Sequence, residues 1–218
     1  MKLFIDTANL DEIRQANDLG ILDGVTTNPT HISKEKADLK TRLREICQIV
    51  PGPVSAEVVS TETEGMIHEA DELVRIAPNI VIKLPTTAAG VRALKNLAGR
   101  GIKVNMTLCF QPLQALVVAK VGATYISPFV GRFDDQAEEG MQLVRHIRSI
   151  YNNYQFATQI LAASLRTPYH LVQAALIGVD VATVPFAVIE KMLFHPLTDI
   201  GLTKFLEDWK KVHPNLSI

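Results

Sequence analysis

The chain has 218 residues, 47% of them hydrophobic and 21% charged, so one globular domain can bury roughly 70% of its unfolded surface without disulfides or a structural metal. Its 22 Lys and Arg residues balance 23 Asp and Glu residues, and the net charge of −1 excludes an electrostatic basis for binding nucleic acid or anionic lipid. Cys47 and Cys109 form no CxxC motif, and the first residues contain no apolar run like that of a secretory leader. No apolar run in the sequence is long enough to span a membrane, so we expect a cytoplasmic protein without a membrane partner.

Eight short apolar runs, each a predicted strand, alternate along the chain with longer helical patterns. They cover residues 2–6, 24–28, 54–58, 79–84, 102–107, 123–127, 159–164 and 180–184. Apolar strands followed by helices are typical of a parallel sheet, and eight such units favour a closed (β/α)8 TIM barrel over an open doubly wound sheet. No glycine-rich dinucleotide motif follows the first strand, where the sequence reads DTAN.

Several helix ends can be predicted from local signals. Asn9 is predicted as the N-cap of the first helix, and Thr61 with Glu64 as a capping box. A later helix is predicted to open after Thr167, where a proline follows, and to close at Gly178.

The C-terminal part of the chain, residues 186–218, is predicted to add helices to the barrel within one domain spanning residues 1–218. One of them covers residues 203–212 and carries Phe205, Leu206 and Trp209 on a single stripe. Two interpretations of this stripe stay open: it packs on its own barrel, or it forms a contact between subunits.

A polar residue closes almost every predicted strand. In chain order these are Asp6, Asn28, Glu57, Lys83, Asn105 with Thr107, Ser127 and Ser164. Buried separately they would destabilise the fold by about 1–3 kcal/mol for each unsatisfied group. The carboxyl ends of barrel strands meet at one mouth, where these side chains form a network in which Asp6, Glu57 and Lys83 neutralise one another.

Lys83 is the most informative of these residues, because it interrupts the apolar run IVIKLP. A desolvated lysine amine is a nucleophile that forms a Schiff base with a carbonyl substrate. The alternative is a lysine whose stem lies on apolar surface while its ammonium reaches solvent.

Other residues also have plain structural interpretations. Asp6 suits an Asx-turn before the first helix, Asn28 an extended residue before a proline, and Arg166 a solvated cation. The six histidines have no paired spacing, so we interpret them as surface or turn residues and predict no metal site. They are His31, His68, His146, His170, His195 and His213.

A second cluster predicts a phosphate site. Arg132 follows the sixth strand, and Ser164 and Arg166 lie between the seventh strand and the helix that follows it. In barrels the late loops and an adjoining helix N-terminus commonly bind phosphate, and arginine pairs with it through two hydrogen bonds. A phosphorylated carbonyl compound is therefore the expected substrate.

Six segments, taken together, resemble the small transaldolase and fructose-6-phosphate aldolase family over essentially the full chain. They are FIDTAN at 4–9, GVTTNP at 24–29, IKLP at 82–85, NMTL at 105–108, ISPFVGR at 126–132 and AASLR at 162–166. The resemblance implies a Schiff base on Lys83, Asp6 as the acid/base for carbon–carbon cleavage, and a catalytic water handled by Glu57 and Thr107. It also implies that Asn28, Asn105 and Ser127 contact substrate hydroxyls, and that Arg132, Ser164 and Arg166 bind the phosphate.

Two positions separate the activities within this family. The aldolase branch has Gln and Tyr where this chain has Glu57 and Phe129, so the resemblance implies a transaldolase of the pentose phosphate pathway that needs no cofactor. It further implies phosphorylated sugar partners and a homo-oligomer of pentameric rings, single or paired into a decamer. An aldolase releasing dihydroxyacetone and a non-catalytic phosphosugar-binding barrel remain as alternatives.

Overall fold

A computed structural model describes residues 1–213 and contains a closed barrel of eight parallel strands. Each strand pairs with its neighbours in chain order, and β1 pairs with β8 to close the sheet. The strands are β1 Lys2–Asp6, β2 Gly24–Thr26, β3 Val54–Glu57, β4 Ile80–Pro85, β5 Val104–Cys109, β6 Tyr125–Pro128, β7 Gln159–Ala162 and β8 Val181–Val184. The predicted (β/α)8 TIM barrel is confirmed.

Helices surround the barrel and continue after the last strand. They are α1 Leu10–Asp18, α2 Pro29–Lys34, α3 Leu39–Ile49, α4 Thr63–Leu73, α5 Ala88–Gly99, α6 Pro112–Val121, α7 Val130–Asp134, α8 Gly140–Tyr154, α9 Pro168–Ile177, α10 Phe186–Met192 and α11 Pro196–Val212. The predicted C-terminal helices correspond to α10 and α11, while residues 214–218 of that segment lie outside the described residues.

The alternation of side chains along each strand divides the core into two parts. Outward residues such as Ile5, Val25 and Ile82 are fully buried between the strands and the helices. Inward residues form a smaller apolar cluster inside the barrel, consisting of Phe4, Val81, Tyr125, Leu161, Ala163 and Val181. Polar inward residues follow these in the sequence, so the barrel is apolar in its interior and polar at its carboxyl end.

Gly24, the first residue of β2, is required by this interior packing. A Cβ atom at this position would lie 2.6 Å from Cε1 of Phe4 and 2.6 Å from the carbonyl oxygen of Pro53. The register places Gly24 directly opposite Phe4 in the neighbouring strand. The absent side chain makes room for the phenylalanine ring.

Three strands end two residues away from the predicted position, and three others end one residue away. β2 stops at Thr26, because Asn28 instead caps α2 by accepting a hydrogen bond from the His31 backbone N–H. β7 stops at Ala162, because Ser164 adopts a left-handed backbone with φ of 57°. β5 continues to Cys109 through a register shift, with Leu108 at φ of 57°.

The predicted helix ends are partly correct. The Asn9 side chain accepts hydrogen bonds from two backbone N–H groups of α1, and α9 is capped by Thr167 and closed by Gly178 at φ of 79°. The capping box of Thr61 with Glu64 is wrong, because α4 has Glu62 at the N-cap position without a side-chain hydrogen bond.

α11 makes no substantial contact with its own barrel. None of its 17 residues is buried, and Phe205, Leu206 and Trp209 are 72%, 49% and 47% exposed. The stripe therefore does not pack on the barrel of the same chain, which overturns the first of its two interpretations. Of the helices in residues 1–213, none is both long and apolar enough to cross a membrane.

Candidate active site

A cavity of about 230 Å³ opens at the carboxyl ends of the strands, where ligand sites of such barrels are found. Eight of the residues predicted to act in catalysis or binding line it, contributed by five strands and the loops that follow them. The lining consists of Asp6, Thr26, Asn28, Thr30, His31, Lys83, Ser127, Phe129, Arg132, Leu161, Ala163, Ser164, Arg166 and Thr183.

Lys83 lies in the middle of β4 and is 4% exposed. Its Nζ lies 2.8 Å from Oε2 of Glu57, the residue opposite it in β3, and donates a hydrogen bond of 3.0 Å to the carbonyl oxygen of Thr27. A lysine whose ammonium reaches solvent is therefore ruled out. The amine faces the cavity from a desolvated position, as a Schiff-base lysine requires.

Asp6 ends β1, and its carboxylate is bound by hydroxyl groups of neighbouring strands. Oδ1 accepts a hydrogen bond of 2.7 Å from Thr26 Oγ1, which lies 2.7 Å from Thr183 Oγ1. Because the Thr26 proton goes to Asp6, Thr183 is the donor in the second bond. Asn9 rather than Asp6 caps α1, so the Asx-turn interpretation of Asp6 is wrong.

The predicted mutual neutralisation of Asp6, Glu57 and Lys83 is only half correct. Within residues 1–213, Lys83 pairs with Glu57, and no contact within 4.0 Å joins it to Asp6. The reason is topological, because β2 and β3 separate β1 from β4 around the barrel. The cavity thus has a Lys83–Glu57 pair on one side and a hydroxyl-bound carboxylate on the other.

A buried polar network joins β3, β5 and β6. Ser127 Oγ donates to Asn105 Oδ1 at 2.7 Å, and Asn105 Nδ2 donates to Ser55 Oγ at 3.2 Å. Thr107, in β5, is fully buried, and its hydroxyl has no hydrogen-bond partner among the described residues. Buried hydroxyls are normally paired, so Thr107 is suited to bind a water molecule or a ligand atom.

The three residues predicted to bind phosphate, Arg132, Ser164 and Arg166, line the same cavity. Arg166 pairs with Asp135 through both Nη atoms, one of them at 2.7 Å, and this hydrogen bonding lowers the pKa of Asp135 and raises that of Arg166. A Cβ atom on Gly131 would lie 2.5 Å from Nε of Arg166. The glycine therefore lets the guanidinium lie against α7. Arg132 is exposed at the same rim of the cavity.

Phe129 follows β6 and borders both the cavity and the apolar interior. Its ring packs edge to face on Phe110, with centroids 5.8 Å apart. No hydroxyl is available at this position to orient water.

The sequence interpretation missed one residue in particular. His31 was expected on the surface or in a turn, but its half-buried ring lines the cavity beside Asp6, so that interpretation is wrong. Thr30 and Thr183 also line the cavity. Thr183 lies two residues after the inward Val181, a parity signal that was available in the sequence. No sequence signal distinguished His31.

The sequence profile described as Transaldolase/Fructose-6-phosphate aldolase matches residues 3–216. The chain belongs to this family. A relative from Geotalea daltonii, named "Probable transaldolase", is 57% identical over 212 residues, which cover 97% of this chain and 99% of the relative. One from Dictyoglomus turgidum with the same name is 56% identical over 212 residues, with the same two coverages. The match to the transaldolase/fructose-6-phosphate aldolase family thus covers nearly the whole chain.

Proposed function

We propose that the protein is a class I, Schiff-base transaldolase. It transfers a dihydroxyacetone unit from fructose 6-phosphate or sedoheptulose 7-phosphate to erythrose 4-phosphate or glyceraldehyde 3-phosphate, an exchange of the pentose phosphate pathway. The observation that carries the proposal is Lys83, 4% exposed at the mouth of the barrel and facing a cavity with a separate carboxylate.

The reaction begins at the Lys83 amine. Glu57 Oε2, 2.8 Å from Nζ, is in position to accept the proton that Nζ loses before it attacks C2 of the ketose. Loss of the C2 oxygen as water then gives the protonated Schiff base. Thr107, whose hydroxyl is buried without a partner among residues 1–213, is suited to hold that water with Glu57.

Asp6 acts in the cleavage step. Its carboxylate accepts the proton of the C4 hydroxyl while the C3–C4 bond breaks, and the bonding electrons move into the protonated Schiff base. Glyceraldehyde 3-phosphate leaves. In the reverse sense, the enamine carbon attacks the aldehyde carbon of erythrose 4-phosphate, Asp6 returns the proton to the new hydroxyl, and hydrolysis of the Schiff base frees sedoheptulose 7-phosphate.

The remaining polar groups of the cavity divide between the two ends of the substrate. Asn28 and Ser127 line the cavity, and Asn105 lies behind Ser127, whose hydroxyl it accepts. All three are suited to substrate hydroxyls, because they can donate or accept hydrogen bonds. Arg132, Ser164 and Arg166 line the same cavity from the loops after β6 and β7 and suit a phosphate dianion.

The choice between transfer and release depends on Glu57 and Phe129. A phenylalanine beside the intermediate provides no group to activate water, so the three-carbon unit stays on Lys83 until an aldehyde arrives. The alternative is fructose-6-phosphate aldolase activity, which releases free dihydroxyacetone. A non-catalytic phosphosugar-binding barrel is disfavoured by the buried Lys83–Glu57 pair. Such a pair stabilises a fold no better than apolar residues of similar volume, so its presence indicates a chemical role.

A product assay tests the proposal. Fructose 6-phosphate is supplied with and without erythrose 4-phosphate, and sedoheptulose 7-phosphate and free dihydroxyacetone are quantified by mass spectrometry. We expect sustained turnover only with the acceptor. Steady release of dihydroxyacetone without it, as fast as the transfer, would instead assign the aldolase activity.

We also propose that the protein assembles into pentameric rings, single or paired, through α11. None of its residues is buried, and Phe205, Leu206 and Trp209 are all exposed, as apolar side chains at a contact between proteins are before assembly. Phe205, Leu206 and Trp209 share one face of the helix and Lys204, Glu207 and Lys211 share another, so its apolar and charged faces are distinct. A neighbouring copy of the chain is the proposed partner.

A further inference from the structure

His31 lies in α2 at the edge of the cavity, between Asn28 and Asp6. Its side chain is 21% exposed, and Nδ1 lies 3.7 Å from Oδ1 of Asp6. Nδ1 is buried and has no hydrogen-bond partner within residues 1–213. The ring therefore directs a buried nitrogen at the carboxylate that the proposed mechanism uses as acid and base.

Asn28 selects the tautomer of this ring. Its Oδ1 accepts the His31 backbone N–H at 2.9 Å, so the amide nitrogen Nδ2 is the group that faces His31 Nε2, at 3.4 Å. An amide N–H₂ can only donate, so Nε2 is the acceptor and the ring proton is on Nδ1. That proton is on the nitrogen that lies 3.7 Å from Asp6 Oδ1.

The two oxygens of Asp6 consequently have different surroundings. Oδ1 receives the Thr26 hydroxyl at 2.7 Å and faces the His31 Nδ1–H. Oδ2 has no protein donor among the described residues. Oδ2 is thus the oxygen left free to exchange a proton with substrate.

Several side chains around the cavity are positively charged. Lys83 on β4, Arg132 on α7 and Arg166 after β7 line the same cavity. Glu35, the C-cap residue of α2, is paired with Arg42 at 3.1 Å. A neutral Nδ1–H adds a donor to Asp6 without adding a positive charge to the wall.

We propose that His31 is a positioning residue for Asp6. It holds Oδ1 in place, so that Oδ2 takes the C4 hydroxyl proton during cleavage and returns it to the aldehyde oxygen during transfer, while His31 keeps its own proton throughout. The distance of 3.7 Å exceeds a hydrogen bond, and such catalytic contacts shorten when substrate binds. This inference rests on the proposed function, because it needs Asp6 to move a proton.

The test compares His31→Leu, His31→Asn and His31→Gln in the first half-reaction. An asparagine amide can place its N–H₂ near the position of Nδ1, and a glutamine amide near that of Nε2. The burst of glyceraldehyde 3-phosphate from fructose 6-phosphate is measured by rapid quench, because it reports cleavage whether or not an acceptor is used. His68→Leu, on the exposed face of α4, is the matched control.

We expect His31→Leu to lower the burst rate and kcat by about tenfold, the effect of one donor to a charged group, with KM nearly unchanged. His31→Asn should recover most of the rate and His31→Gln little, while borohydride still traps substrate on Lys83 in every variant. A merely structural role predicts equal losses for Asn and Gln, tracking their melting temperatures, and that result would overturn the proposal, as would a wild-type burst in His31→Leu. The wild-type enzyme could give a burst that falls in His31→Leu and yet form no sedoheptulose 7-phosphate. That result would reject the transferase function and leave the role of His31 intact.

Discussion

At the scale of single residues, the chemistry depends on how Lys83 is solvated. A lysine that is 4% exposed and 2.8 Å from a carboxylate loses most of its hydration, and breaking such a pair leaves an uncompensated buried charge. The arrangement is therefore expensive for stability and useful for a nucleophile whose proton must leave by a short path to Glu57.

Lys83→Ala should abolish turnover. In the wild type, borohydride with fructose 6-phosphate should reduce a Schiff base and leave a covalent adduct on Lys83, located by peptide mass spectrometry. Lys95→Ala, on the exposed face of α5, is the control and should keep full activity and the adduct. An adduct on another lysine, or wild-type rates in Lys83→Ala, would reject the mechanism.

Phe129 determines the fate of the intermediate in the proposed mechanism. Phe129→Tyr introduces a hydroxyl beside the Schiff-base carbon, where it can orient water and donate a proton. Free dihydroxyacetone should then appear from fructose 6-phosphate without an acceptor. Phe110→Tyr, which alters the ring packed on Phe129 at the exposed side, is the control. Equal release by the control would show that the hydroxyl acts nonspecifically.

Arg166 should act on phosphorylated substrates only. Losing a charge-assisted contact lowers transition-state binding by about 1.5–3 kcal/mol, or roughly 10- to 150-fold in kcat/KM. Arg166→Lys keeps the charge but loses the planar fork, so it should recover only part of this loss. Rates with dihydroxyacetone-yielding donors that lack phosphate should hardly change. Equal losses with both donor types would mean that the Arg166–Asp135 pair supports the fold instead.

At the scale of elements, the barrel interior restricts residues that look unremarkable in the sequence. β2 is only three residues long, yet its first position must be glycine because Phe4 fills the space opposite it. The strand ends show the same dependence on neighbours: Asn28 leaves β2 to cap α2, and Ser164 leaves β7 in a left-handed conformation at the cavity.

Gly24→Ala tests this packing. Its Cβ would meet both the Phe4 ring and a backbone oxygen at 2.6 Å, and the oxygen cannot move cheaply. Overpacking of this kind destabilises by about 1–3 kcal/mol, and in a domain of this size each kcal/mol lowers Tm by about 2–4 °C. Gly99→Ala in α5, where no atom lies within 4 Å, is the control and should unfold at the wild-type temperature or above. Calorimetry measures both, and equal stability of the two variants would contradict the argument.

At the scale of the whole molecule, the most telling feature is a helix that touches little of its own barrel. α11 buries none of its residues, although it carries leucine, isoleucine, phenylalanine and tryptophan side chains. An isolated helix with an exposed apolar surface is only marginally stable in water, and in the proposed assembly another copy of the chain would cover that surface.

Phe205→Glu with Trp209→Glu should therefore dissociate the assembly. Sedimentation should give multiples of 24.0 kDa for the wild type and the single-chain mass for the double variant. The far-UV circular dichroism should stay close to wild type, because neither side chain is buried in the barrel of the same chain. Leu19→Glu, an exposed position at the end of α1, is the control. A wild-type mass of one chain would reject the proposed ring.

The sequence by itself determined the barrel, because eight apolar strand patterns alternating with helices leave few ways to bury both faces of a sheet. It also determined the identity of the mouth residues, since the two-residue period puts Lys83, Asp6 and Glu57 on inward faces at strand ends. Tertiary structure alone decided which charged residues pair. Lys83 pairs with Glu57 and not with Asp6, because the order of the strands around the barrel sets the distances between their side chains. It likewise decided that His31 turns inward and that α11 stays uncovered, since local periodicity carries no information about which neighbour occupies the facing surface.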